Sequence, residues 1–188
     1  MKKGEYFLKL ALSRKTTYEF SDKKISDDNL KKILEVARWA PSCSNTQPWH
    51  FIIIKDKEKI KRLMMSANYG DFHTDPQLII ALVLMKEKCT GEGFSCFRGK
   101  DSGIYDSYMS IGMVGLNMTL EATDLGINSC LITPTQVTAK LILKVKKEDI
   151  VPLIIGFGYQ SKMAFQKKRE RTKLSDIISY EYFGGQDD

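Results

Sequence analysis

Residues 104–125 form a helical stretch too apolar to lie on a surface. Met109, Ile111, Met113, Val114, Leu116, Met118, Leu120 and Leu125 spread around most of its circumference. A helix apolar nearly all round belongs in a core or an oligomer interface. Gly112 and Gly115 would let another backbone approach closely, and Gly126 suits the left-handed position after the helix end.

The segments around it supply both helices and strands. Tyr6, Phe7, Leu10 and Ala11 share one helical face over residues 5–13. Ser26 reads as an N-cap with Asp27 and Asp28 in the first turn, followed by an apolar stripe of Leu30, Ile33, Leu34, Ala37 and Ala40 that Pro41 ends. Strands are predicted at 51–55, 129–132 and 151–159, and helices at 57–67 and 136–143. The length of the uninterrupted apolar run 78–85 favours a strand buried on both faces, although the pattern alone also fits a helix. Residues 88–103, rich in glycine, read as a variable loop or lid, and 165–188 as a C-terminal tail. The sum is one α+β domain over 1–188, a small sheet flanked by helices.

Charge and composition narrow the function classes. The net charge is +6, but most lysines are scattered over exposed helix positions, and only 167–173 is a dense basic run. No zinc-finger or RNA-recognition pattern accompanies it, which makes nucleic acid an unfavoured partner. No run is long enough for a membrane helix, and the start lacks a leader pattern, so a cytoplasmic location is expected. Cys43, Cys89, Cys96 and Cys130 form no C-x-x-C pair, and with two histidines a metal site is not expected.

Four segments bear chemistry. The loop Pro41-Ser42-Cys43-Ser44-Asn45-Thr46-Gln47-Pro48-Trp49 is closed by two prolines, with Gln47 expected to be extended and Trp49 to anchor in the core. Its amides both donate and accept, and Cys43 is either a reactive thiol or a small loop residue. Ser13-Arg14-Lys15-Thr16-Thr17-Tyr18-Glu19-Phe20 offers a guanidinium and hydroxyls fit for a phosphate, or else a solvated turn. Asn68 sits at a helix end, where capping alone would also explain it. Arg169-Glu170-Arg171-Thr172-Lys173-Leu174 is a second basic cluster that could converge with Arg14 on one phosphate.

Together these segments resemble the FMN-dependent nitroreductase family. P-S-x-x-N-x-Q-P-W is similar to its interface loop, and R-x-S-x-[RK]-x-F to its N-terminal motif, with Arg14, Thr16 and Phe20 on the first, second and last positions. Asn117 to Gly126 resembles its central-helix pattern, Gly158-Tyr159 its last strand, and Arg171 the basic residue of its closing element. Tyr18 departs from the pattern, standing where the family usually carries a cation near the flavin. The resemblance implies a three-layer fold with a mostly antiparallel sheet in an intertwined homodimer. It places Arg14, Lys15, Thr16, Tyr18, Arg169 and Arg171 around bound FMN. Ser42, Asn45 and Gln47 would reach across the interface, with Asn68 and the backbone of Ile132 and Thr133 beside the ring. NADH or NADPH would donate electrons, and a small flat acceptor would take them by a ping-pong course at flavin N5, with no protein acid or base. Rival readings are another flavin reaction (reductive dehalogenation or flavin fragmentation) and a flavin carrier or basic nucleic-acid-associated protein.

Overall fold

The computed structural model describes residues 3–67, 75–88, 100–164 and 169–185. Five α-helices are described, α1 (Lys3–Ser13), α2 (Asp27–Arg38), α3 (Lys57–Met65), α4 (Lys100–Asp124) and α5 (Gln136–Leu143). They surround a sheet of β1 (Trp49–Ile54), β2 (Leu78–Leu84), β3 (Asn128–Ile132) and β4 (Ile150–Gly158). The strand order is β1-β2-β4-β3, and every neighbouring pair is antiparallel.

β2 is buried along its whole length because helices cover both faces of the sheet. Leu78, Ile80, Leu82 and Leu84 pack with Leu30, Ile33 and Ala37 of α2 and with Ile111, Val114 and Met118 of α4. The alternate residues, Ile79, Ala81 and Val83, pack with Ile60, Leu63 and Met64 of α3 and Ala139 of α5. The period-2 alternation of side chains thus divides one apolar run between two cores, giving three layers. Each buried valine, leucine, isoleucine or methionine among them contributes roughly 1.5–3 kcal/mol relative to exposure, and each alanine less.

Local signals set the helix ends. Ser26 Oγ accepts from the Asn29 amide at 3.2 Å, and Asp56 Oδ1 accepts from the Lys59 amide at 2.8 Å. Each satisfies one amide that the first turn leaves unpaired. Gly126 takes φ 70° after α4, as its position predicts. Trp49 is buried, as expected of the loop's anchor.

Two expectations need correction. Residues 100–103 of the presumed loop belong to α4, while 89–99 lie outside the described residues. Within one chain α4 is buried on one side, and Tyr105, Met109, Met113 and Leu116 are exposed on the other, which leaves the oligomer-interface alternative open. At Gly115 the close neighbour is a side chain, since a Cβ there would fall 2.8 Å from Leu153 Cδ2, whereas Gly112 faces open space.

α1 is the least embedded helix. Phe7, Leu8 and Leu12 are 60–64% exposed. Tyr6 Oη donates to Asp124 Oδ1 and ties α1 to the end of α4.

Candidate functional site

The segment after α1 is laid along the β3–β4 side of the sheet. Thr16 pairs with Ser129 of β3, and the Thr17 amide donates to the Ser129 carbonyl at 3.1 Å. Further on, Phe20 pairs with Gln160, and the Ser21 amide donates to Tyr159 O at 2.8 Å. Gly158 makes this path possible, because a Cβ there would fall 2.7 Å from Phe20 Cδ1. In extended chain, neighbours face opposite ways. Thr17 accordingly turns inward and is buried, while Tyr18 is 53% exposed.

This path delivers Arg14 to a basic cluster. Its Nη1 is buried and has no hydrogen-bond partner. Its pKa is lowered, first by burial and then by the nearby positive charges of Arg169 and Arg171. The tail therefore returns both arginines to the segment that follows α1. Among the described residues no carboxylate pairs with any of the three. Leaving a guanidinium donor buried and unpartnered beside like charges is unfavourable, and a polyanion would relieve both penalties. Arg169 is also committed elsewhere: it donates through Nη1 to Arg14 O and through Nη2 to Leu12 O, the latter at 2.5 Å. Lys15 and Thr16 flank Arg14 and are half-buried.

Ile132 and Thr133 lie where β3 ends, Ile132 buried and Thr133 exposed. The next residue, Pro134, pairs with Ala67, and Thr135 Oγ1 donates to Ser66 O at 2.7 Å. The end of α3 and the turn after β3 are thereby joined. Asn68 itself lies outside the described residues.

The proline-bounded loop is the sharpest disagreement with its sequence reading. Gln47 is left-handed at φ 47° instead of extended, and Ser44 and Asn45 have φ 49° and 54°. The reason is local. Ser42 Oγ accepts from the Gln47 amide at 3.0 Å, and Gln47 Nε2 reaches Asn45 Oδ1 and O at 3.4 Å. These bonds close the loop against the extended preference that Pro48 imposes. The hydrogen bonds of Ser42, Asn45 and Gln47 stay inside the loop, so one chain does not join it to the Arg14 cluster. Two surface depressions of about 950 and 980 Å³ lie between α2 and β1 and around Ser21, Lys55 and Gln77, and Arg14, Arg169 and Arg171 line neither.

Sequence reasoning passed over Thr17 and Ser129. Both are 1% exposed, and neither hydroxyl oxygen has a hydrogen-bond partner. The doubled threonine was visible, but the register that brings it to Ser129 was not. Cys130, buried next to them, has its thiol pushed up to about 12 by burial. The Tyr18 phenol is raised by its own burial and then by Cys130.

The fold is shared with solved structures of similar proteins. The family model described as the nitroreductase family matches residues 11–159. The chain belongs to the nitroreductase family. A Staphylococcus epidermidis protein, provisionally named as an NAD(P)H nitroreductase, is 43% identical over 89% of this chain and 93% of its own. An Archaeoglobus fulgidus relative, provisionally named NADH dehydrogenase/NAD(P)H nitroreductase, is 41% identical over 66 residues, 35% of this chain and 38% of that one. The crystal structure of a nitroreductase family protein from Clostridium difficile 630 superposes with a TM-score of 0.78 at 30% identity, covering 94% of this chain and 98% of that one.

Proposed function

We propose that the protein is an FMN-dependent oxidoreductase that passes reducing equivalents from NADH or NADPH to a small flat acceptor, such as a nitroaromatic or quinone. The observation that carries this reading is the Arg14 guanidinium, whose Nη1 is buried without a partner and which has Arg169 and Arg171 close by. Its donors fit a phosphate monoester, and among the described residues no carboxylate pairs with the cluster to neutralise it. The name of the Staphylococcus relative supplies the nicotinamide donor by analogy.

Arg14 and Arg171 would hold the phosphate, with the Thr16 hydroxyl and Lys15 beside them. The backbone of Ile132 and Thr133 would line the ring, with Asn68 following the Ala67–Pro134 pairing. When bound, FMN supplies two-electron hydride chemistry by a ping-pong course, so no side chain is assigned as general acid or base. Tyr18 brings no charge at neutral pH, so it leaves negative charge on the reduced ring less stabilised than a lysine or arginine would.

The site needs a second copy. Ser42, Asn45 and Gln47 of the partner subunit would complete it, since this chain's own loop hydrogen-bonds internally. A homodimer is supported by apolar side chains exposed on α1 (Phe7, Leu12), α4 (Tyr105, Met109) and the tail (Tyr182, Phe183). No helix among the described residues is long and apolar enough to cross a membrane, and we place the enzyme in the cytoplasm, folded as one domain.

The test is the visible spectrum of the purified protein, recorded anaerobically before and after NADH and then NADPH. A flavin spectrum that bleaches with either donor is expected. Absence of bound flavin together with no uptake of added FMN would overturn the reading.

A further inference from the structure

Arg169 differs from its neighbours in what it touches. Its two terminal nitrogens donate to main-chain carbonyls, Nη1 to Arg14 and Nη2 to Leu12, across 155 and 157 residues of sequence. Those carbonyls lie in and just beyond the last turn of α1, where a helix leaves acceptors unpaired. α1 has no basic residue of its own in that turn, so the cation that complements its negative end comes from the tail.

The same contacts fix Arg14. Its amide closes the final turn by donating to Leu10 O at 3.0 Å, and its carbonyl accepts from Arg169. The Arg14 backbone is therefore held on both sides, and its side chain leaves from a fixed point. Core packing from within this subunit does not replace that support, since Phe7, Leu8 and Leu12 are 60–64% exposed. An 11-residue helix so little buried is marginal without added tethers.

We propose that Arg169 is a positioning residue: it clamps the C-terminal end of α1 and thereby sets the Arg14 guanidinium, and it does not itself bind the ligand's phosphate. The inference rests on the reading of Arg14 and Arg171 as the phosphate-holding pair. It also makes tail docking a condition for phosphate recognition, because the segment bearing Arg169 must be in place before Arg14 is.

The test compares Arg169→Ala, Arg169→Lys and Arg171→Ala in the full chain by two measurements. One is amide hydrogen exchange over residues 7–14 without flavin. The other is the ratio of dissociation constants for riboflavin and FMN, which reports the phosphate contact alone. Both Arg169 variants are expected to speed exchange at Arg14 by about tenfold, because one ammonium cannot span two carbonyls as a guanidinium does. Both are expected to lose most of the preference for FMN, the lysine variant despite keeping its charge. Arg171→Ala is expected to lose the preference with exchange unchanged. Unaltered exchange in Arg169→Ala, or a lysine variant that keeps the preference, would overturn the clamp and make Arg169 an ordinary phosphate cation. Faster exchange with the preference intact would also overturn it, by separating the helix end from Arg14. If the wild-type protein itself fails to prefer FMN, the phosphate reading falls, and the exchange measurement still decides whether the clamp exists.

Discussion

Replacing Arg14 by alanine should separate ligand binding from folding. Arg14 Nη1 is buried without a protein partner among the described residues, and Arg169 and Arg171 stand close enough to lower its pKa. An unsatisfied buried donor costs about 1–3 kcal/mol. Its removal, with the attendant repulsion, offsets the packing lost with the aliphatic stem. The flavin-free Arg14→Ala protein should therefore keep its stability to within about 1 kcal/mol, a shift in Tm of roughly 2–4 °C at most for a chain of this size. FMN binding should weaken by the worth of one charge-assisted contact, about 1.5–3 kcal/mol, or roughly 10- to 150-fold. Riboflavin, which lacks the phosphate, should bind within about twofold of wild type. Fluorescence titration with both flavins, beside a thermal melt of the flavin-free protein, gives all three quantities. Equal weakening for riboflavin and FMN, or a loss above about 2 kcal/mol in the flavin-free protein, would refute the argument by making Arg14 a structural residue.

Three further outcomes are expected. Tyr18→Arg should make the flavin midpoint potential less negative by about 20 mV, since a half-exposed charge is worth roughly 1 kcal/mol and 30 mV is about 1.4 kcal/mol for two electrons; a spectroelectrochemical titration reads it, and an unchanged or more negative potential counts against the placement. Deleting residues 174–188 should weaken the dimer by at least about 100-fold, because two or more large apolar side chains lose their cover; sedimentation equilibrium measures it, and an unaltered dimer would move the contact entirely to α1 and α4. Burial raises the Cys130 thiol from its ordinary value of 9.0 to about 12. Between those values the folded chain holds a proton that the unfolded chain has released, so this contribution is complete below pH 9 and is lost as pH rises toward 12. Urea melts of wild type and Cys130→Ala at about pH 8 and pH 10 should show a steeper alkaline loss in the wild type, and parallel losses would contradict it.

What could be read from the sequence was what local physics decides. The Ser26 cap, the Pro41 stop and the Leu78–Leu84 run each carry their cause within a few residues, and the helix and strand they predict are present. α4 was legible as a helix but not as a half-exposed one, because apolar residues read alike whether they face a core or a second subunit. The proline rule misled at Gln47, where a single hydroxyl five residues back captures the amide. The arginines show the same limit. Arg169 and Arg171 are equivalent by type, yet one donates to carbonyls at the end of the first helix and the other to the carbonyl of its own neighbour, Glu170. Thr17 and Ser129 gain their meaning from a pairing across 112 residues that no local pattern encodes.

The left-handed residues of the proline-bounded loop bear on tolerance to change. Ser44, Asn45 and Gln47 hold a backbone hand that L-residues with branched side chains avoid. A valine or isoleucine there would have to unwind the loop, whereas glycine would accept the same winding and asparagine would fit nearly as well. The segment is therefore narrow in what it permits by shape alone, before any ligand is considered. Because its curvature is set during folding, a bound molecule meets a finished surface, and little ordering of the loop remains to oppose its arrival.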